Sequence, residues 1–108
     1  MSSAARAELL ARLLSDSRQM LDHAERGEWE QLASKDAQRR EDLASFFATT
    51  ADAAEVATIA EATRALLRMN GEIMAQLREA RSAVMAQGRD YFRSRSAMDS
   101  YQAIDATP

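Results

Sequence analysis

The hydrophobic positions between Asp52 and about Arg95 follow a helical spacing with few interruptions. Apolar residues recur at i, i+3, i+4 and i+7, which is the pattern of an amphipathic α-helix. Asp52 followed by Glu55 forms a capping pair for the helix start. The pattern predicts a helix of about 40 residues, roughly 60 Å long. Its apolar stripe consists of Val56, Ile59, Ala60, Leu66, Leu67, Ile73, Met74, Leu77, Ala80, Val84, Met85 and Phe92.

One seam of this helix also repeats at strict seven-residue steps. A sustained heptad indicates coiled-coil-like packing against other helices. A single polar residue in such a seam often sets register and oligomeric state, so we interpret Asn70 as a structural residue. The seam consists of Val56, Thr63, Asn70, Leu77, Val84 and Tyr91.

Two shorter amphipathic stretches precede the long helix. The first runs from about residue 4 to Arg26 and ends at Gly27, because glycine accepts the left-handed conformation that closes helices. The second runs from about Glu28 to Ala48. Both connections are short, so adjacent helices should be antiparallel.

The predicted fold is all-α, an antiparallel three-helix bundle with a long third helix and coiled-coil-like packing. We expect one domain over residues 1–101 and a frayed tail over 102–108.

The second helix has charged residues inside its apolar stripe. Trp29 is the first large apolar residue after the turn, so we expect it to be a buried plug against the third helix. Asp36 and Arg40 are four residues apart, where they can pair along the helix. Charges in such a stripe cost free energy unless they are paired. We favour a partly buried ion pair that also contacts the third helix near Asn70; the alternative is a polar anchor in a binding groove.

The third helix is too long to be covered by the other two. Those helices are each roughly 32–35 Å long, so the third should pass the Gly27 turn near Gln76. A long apolar stripe beyond that point marks an interaction surface. It would be covered by the segment after Gly88 folding back, by a second copy in a homodimer, or by a client protein. We expect the free protein to dimerise or to shield the stripe by folding back. The predicted partner-binding residues are Met69, Met74, Leu77, Arg81, Val84, Met85 and Phe92.

Composition narrows the classes of function. The 108 residues include three glycines, one proline and no cysteine, which is typical of one helical domain without disulfides or thiolate metal sites. His23, the only histidine, lies off the apolar stripe, and there is no glycine-rich phosphate loop. We therefore predict no catalytic residue, cofactor or metal site. Net charge −3 argues against nucleic-acid binding. With no apparent signal peptide or membrane span, a cytoplasmic location is the default.

The turn between the first two helices lies in the segment Ala24–Leu32, and a characteristic pattern continues through Arg39–Leu43. These segments resemble the FliT family of flagellar export chaperones. That family shows a first amphipathic helix, then glycine, an acidic residue, tryptophan and a leucine three residues later, followed by an acidic residue and an arginine. The matching positions are Gly27, Glu28, Trp29, Leu32, Asp36 and Arg40, with Asn70, Arg81 and Ser100-Tyr101 similar to the later part of the family pattern.

This resemblance covers about residues 8 to 101 and implies a small helical cytoplasmic protein that is not an enzyme. Family members bind the C-terminal region of the filament-cap protein and deliver it to the export apparatus. Some also contact export-apparatus components or a flagellar transcription regulator. The expected mechanism is binding of an amphipathic client segment in an apolar groove, which holds the client unpolymerised until export.

Three other functions compete with this interpretation. One is a structural coiled-coil module that only homodimerises, and another is regulation of a flagellar transcription factor. The third is a small helical enzyme such as a chorismate mutase, which binds a dicarboxylate through arginines and a lysine. Lys35, the only lysine, lies away from the apolar stripe of its helix, and we find no matching array of basic residues.

Overall fold

A computed structural model describes the backbone of residues 2–105 and the side chains of residues 2–102. This part of the chain is all-helical and contains no strand. Helix α1 spans Ser3–Glu25, α2 spans Trp29–Phe47, and α3 spans Val56–Asp105 after a short 3-10 helix at Ala53–Glu55. The predicted all-α class with a long third helix is confirmed. In the described chain, no helix is long and apolar enough to cross a membrane.

The third helix continues past its predicted end near Arg95 as far as Asp105. It therefore includes residues 102–105 of the predicted tail, while residues 106–108 lie outside the described residues. The single domain over residues 1–101 stays a prediction. By its internal contacts the chain divides into two compact units, Met1–Leu77 and Arg78–Pro108.

The helix boundaries follow from local hydrogen bonds that the sequence predicts. Ser2 caps α1, because its hydroxyl accepts a hydrogen bond from the Ala5 amide at 3.1 Å. Gly27 follows α1 with φ of 71°, and the Glu28 amide donates to the His23 carbonyl at 2.8 Å. This is the left-handed closure expected of a glycine after a helix.

The second boundary is set by Asp52. Its carboxylate accepts hydrogen bonds from the Ala54 and Glu55 amides at 3.0 and 3.2 Å. These bonds satisfy donors that the helix start leaves without an intrahelical partner. The predicted role of Asp52 as a cap is thereby confirmed.

Two hydrophobic clusters form the core of the unit Met1–Leu77. The first joins α1, α2 and α3 through Leu9, Leu10, Leu13, Phe46 and Ala62. The second consists of Met20, Ala24 and Ile73, with Leu21, Leu32 and Leu77 packed against it.

Trp29 and Met69 are placed differently from the prediction. Trp29 keeps 38% of its surface exposed, so it is not a buried plug. It is the first residue of α2, and Met20 and Ala24 fill the core beside Ile73 instead. Met69 is only 7% exposed and belongs to the core, so its side chain is not available to a partner in this structure.

A clamp of polar side chains joins the start of α1 to the 3-10 helix that precedes α3. Arg6 Nε donates to a Glu55 carboxylate oxygen at 2.9 Å, and the Ser3 hydroxyl donates to the other oxygen at 3.1 Å. The hydrogen bond from Arg6 is the main reason that the pKa of Glu55 is lowered from its ordinary value. The same contact raises the pKa of Arg6.

This clamp should make stability depend on pH in the acid range. Because the Glu55 pKa is lower in the folded than in the unfolded chain, its contribution is complete above the ordinary glutamate pKa of about 4.3 and is lost as the pH falls through the folded value. Thermal melts between about pH 6 and pH 3 should therefore show a smaller fall in Tm for Glu55→Gln than for the wild type. Glu61→Gln, at an exposed position of α3, is the control. Equal falls for wild type and Glu55→Gln would contradict this role.

Candidate functional site

A layer of polar side chains crosses the unit Met1–Leu77 between the two hydrophobic clusters. Helix α1 contributes Asp16 and Ser17 to this layer, and both are buried. Helix α2 contributes Arg39, and α3 contributes Asn70. These positions lie between the apolar residues that each helix contributes to the two clusters, so the layer separates them.

Arg39 is the centre of this layer. Its Nη1 donates to the Ser17 hydroxyl at 3.1 Å and to Asn70 Oδ1 at 2.6 Å, and its Nη2 donates to Asp36 at 3.2 Å. Its side chain is 13% exposed. One guanidinium thus links all three helices. It can do so because this planar group has several N–H donors in a fixed geometry.

Arg40, the next residue along α2, has a different environment. Its Nη2 lies 2.9 Å from Asp36 Oδ2, and its side chain is 78% exposed. The predicted Asp36–Arg40 pair is confirmed. The pair was also expected to be partly buried and to contact the third helix near Asn70; the hydrogen bond to Asn70 comes instead from Arg39, and Arg40 is mostly exposed. One step along an α-helix turns the side chain by about 100°, which moves Arg40 to the solvent side.

A second ion pair connects α1 and α2. Lys35 Nζ lies 3.6 Å from Asp16 Oδ1, and the Asp16 side chain is almost entirely buried. Sequence reasoning missed Asp16, Lys35 and Arg39. A signal for Arg39 was present, because Leu32, Arg39 and Phe46 follow one another at seven-residue steps. Those steps place Arg39 on the core face of α2.

A groove between α2 and α3 lies over the polar layer and consists of two recesses. The recesses have volumes of about 190 and 360 Å³, and Arg39 and Asn70 line both. We call them the Leu67 recess and the Met74 recess, after an α3 residue in each. The Leu67 recess is also lined by Leu13, Leu43, Phe47, Thr63 and Leu66. The Met74 recess is also lined by Met20, Leu32, Asp36, Arg40, Ile73 and Leu77.

The rim of this groove presents large apolar side chains to solvent. Phe47, Leu67 and Met74 are all exposed, although each lines a recess. Exposed apolar groups that converge on a groove are typical of an interaction surface. Of the predicted partner-binding residues, Met74 and Leu77 line the Met74 recess.

The unit Arg78–Pro108 carries its own exposed apolar residues. Val84, Met85 and Phe92 are exposed, and so is Arg81. The rings of Tyr91 and Phe92 meet edge to face, with centroids 5.8 Å apart. The four predicted partner-binding residues of this unit are thus accessible in the structure.

These features define the chemistry available to the protein. Apolar recesses divided by a hydrogen-bonded polar bridge can bury the apolar face of a partner helix and fix its register. Among residues 2–102, no group of three or more His, Cys, Asp and Glu side chains stands where it could hold a metal ion. This chemistry suits a helical protein that binds a partner helix.

The family follows from comparison of the whole sequence. A family model described as "Flagellar protein FliT" matches residues 7–103. The chain therefore belongs to the FliT family of flagellar export chaperones, which is a family of chaperones and not of enzymes. The resemblance inferred from the turn around Gly27 and Trp29 is confirmed. No curated protein and no solved structure matches the chain.

Proposed function

We propose that this protein is a cytoplasmic chaperone that binds the C-terminal segment of the filament-cap protein and keeps it unpolymerised until export. Membership of the FliT family supports the class of function. The observation that carries the proposal is the series of exposed apolar side chains on α3, which includes Met74, Val84, Met85 and Phe92. We further propose that the complex engages components of the export apparatus.

The helices of the unit Met1–Leu77 are proposed to form an antiparallel bundle with coiled-coil-like packing. Leu9, in the first third of α1, packs in one cluster with Phe46, late in α2. Leu32, early in α2, packs against Met20 and Ala24, late in α1. Contacts between opposite ends of consecutive helices support this proposal, as do the short connections between the helices.

Binding would work by burying the apolar face of a client helix. Each Å² of apolar surface removed from water contributes about 25 cal/mol before the costs of association. The client region that would otherwise pair with other client molecules is then covered. Polar groups such as Asn70 and Arg81 are proposed to set orientation and register rather than to supply most of the affinity.

The direct test is binding of the purified protein to the recombinant filament-cap protein of the same organism. Titration calorimetry should show a complex with the full-length cap protein and with its C-terminal segment. A cap protein that lacks this segment should not bind. Equal binding of the full-length and truncated cap proteins would overturn the proposed recognition of the C-terminal segment.

Val84→Asp should abolish client binding, because it places a charge among the exposed apolar residues of the unit Arg78–Pro108. The helical circular dichroism should be largely retained, since Val84 is exposed in the structure. Ser82→Asp, also at an exposed position of α3, is the matched control. If Val84→Asp binds the client with unaltered affinity, the client site does not include Val84 and lies elsewhere, with the first two helices as the favoured place.

The free protein is proposed to be a homodimer. The observation that favours this state is the exposure of the heptad residues Val84 and Tyr91, because such a seam is typically buried against another helix. Sedimentation of the wild type should give the mass of a dimer, and Val84→Asp should shift it toward the monomer. A wild type that sediments as a monomer at the concentrations used for binding would contradict the proposal.

A further inference from the structure

We propose that the groove between α2 and α3 in the unit Met1–Leu77 binds one client helix of defined pattern. That helix has two apolar anchors about seven residues apart and an acidic residue midway between them that faces Arg40. The inference rests on the proposed chaperone function and specifies the chemistry of the client segment that this groove would take.

The spacing of the anchors follows from the two recesses. Leu67 and Met74, which name the recesses, are seven residues apart on α3. In a helix, seven residues make almost two full turns and rise about 10.5 Å. A client helix that lies along the groove therefore presents residues seven apart to the same side and at the same separation. One anchor enters the recess beside Leu43 and the other enters the recess beside Leu32.

The residue between the anchors must be polar. The bridge from Arg39 to Asn70, at 2.6 Å, lies between the recesses and lines both. An apolar side chain placed over it would remove polar groups from water without replacing their hydrogen bonds, which is costly. The bridge thus excludes a continuous apolar stripe and selects a helix that has a polar residue at this level.

The charge of the groove favours an acidic residue at this position. Arg39 lines both recesses, and Arg40 and Asp36 line the Met74 recess next to it, so positive charge is in excess in this part of the groove. Arg40 is largely exposed, and a guanidinium has five N–H donors. A client carboxylate can therefore bind Arg40 while the contact with Asp36 is kept, and such charge-assisted pairs are strong and directional.

The exposed stripe of α3 itself does not have this pattern. Between Val84 and Tyr91 the residue that continues the stripe is Gly88, and between Tyr91 and Met98 it is Arg95. An arginine there would meet the two arginines of the groove, and like charges at an interface disfavour a partner. For this reason we assign the groove to a client helix and not to this stripe, whether from a second copy or from the same chain.

The anchor sites are tested by Leu67→Glu and Met74→Glu in the full-length protein. Each should weaken binding of the recombinant C-terminal segment of the cap protein by at least about 30-fold in calorimetry, as expected for a central apolar contact. Ala75→Glu adds the same charge at an exposed position of α3 that lines neither recess. It should bind nearly as the wild type does. Circular dichroism should be alike for all four proteins, because the three altered side chains are exposed.

The acidic residue is tested by exchanging charges. Arg40→Glu should weaken binding by about 10-fold or more, as expected when one partner of an interfacial charge pair is reversed. The aspartates and glutamates of the client segment are then replaced by arginine one at a time. One of these replacements should weaken binding to the wild type and restore binding to Arg40→Glu. If none restores it, the proposed contact with Arg40 is wrong.

The outcomes separate the inference from the proposed function. A wild type that does not bind the client segment overturns the proposed function itself. A wild type that binds, together with unaltered affinities for Leu67→Glu and Met74→Glu, overturns only the groove. If Leu67→Glu lowers the sedimentation mass of the free protein but keeps client binding, a second copy occupies the groove. If Leu67→Glu speeds amide exchange in residues 78–102 and raises client affinity, the chain's own C-terminal part occupies the groove. Both results would overturn the assignment to a client helix.

Discussion

Arg39→Met should lower the free energy of unfolding by about 3–5 kcal/mol, whereas Arg40→Met should lower it by less than about 1 kcal/mol. The two residues are adjacent and chemically identical, so they form a matched pair. Arg39 is largely buried and donates to Ser17, Asn70 and Asp36. Its removal leaves Ser17 and Asn70 without this donor, while Asp36 keeps its contact with Arg40. Buried polar groups that lose their partner account for most of the cost.

Urea unfolding of the two variants, followed by circular dichroism, measures the difference directly. Because Arg40 is mainly exposed, its pair with Asp36 is weakened by water and salt. A double variant, Arg39→Met with Asn70→Leu, should recover part of the loss, since it removes donor and acceptor together. If Arg39→Met and Arg40→Met have the same unfolding midpoint, Arg39 does not have the central role that its contacts indicate.

Leu13→Ala should lower the free energy of unfolding by about 2–5 kcal/mol. Leu13 is 1% exposed and lies in the cluster where Leu9, Phe46 and Ala62 bring the three helices together. Truncation loses the buried methyl groups and leaves a cavity that the surrounding side chains fill only in part. The variant should unfold at markedly lower urea with a similar m-value.

Leu67→Ala is the matched control for this prediction. It removes the same atoms from an exposed leucine and keeps a residue that favours helix. Its effect on the free energy of unfolding should be within about 0.5 kcal/mol. The role of Leu13 in joining the helices would be contradicted if both variants unfolded at the same urea concentration.

Features that depend on neighbouring residues were predictable from the sequence. The cap by Asp52, the closure at Gly27 and the pair between Asp36 and Arg40 involve residues at most five positions apart, and all three are present in the structure. Their geometry is fixed by the helix itself. For the same reason the helix starts were predicted closely, and the length of α3 was underestimated only where the apolar pattern fades after Phe92.

The partner-binding role of the predicted site residues stays a prediction, but the structure shows which of them a partner could reach. Met74 and Leu77 line a recess as an interaction surface requires, and Val84, Met85 and Phe92 are exposed. The groove beside α2 was not foreseen, because its recesses exist only where two helices pack. Phe47, the last residue of α2, is exposed at the rim of the Leu67 recess.

The sequence by itself determined the three helices, their caps and the residues that share each helix face. Only the tertiary structure decided which edge of each face is buried. Met69 lies in the core while Met74 is exposed, and Arg39 is buried while Arg40 is in solvent. An apolar stripe covers more than about 100° of a helix, and one residue turns it by about 100°. A modest rotation of a helix about its axis therefore exchanges buried and exposed neighbours, and that rotation is set by packing among the three helices.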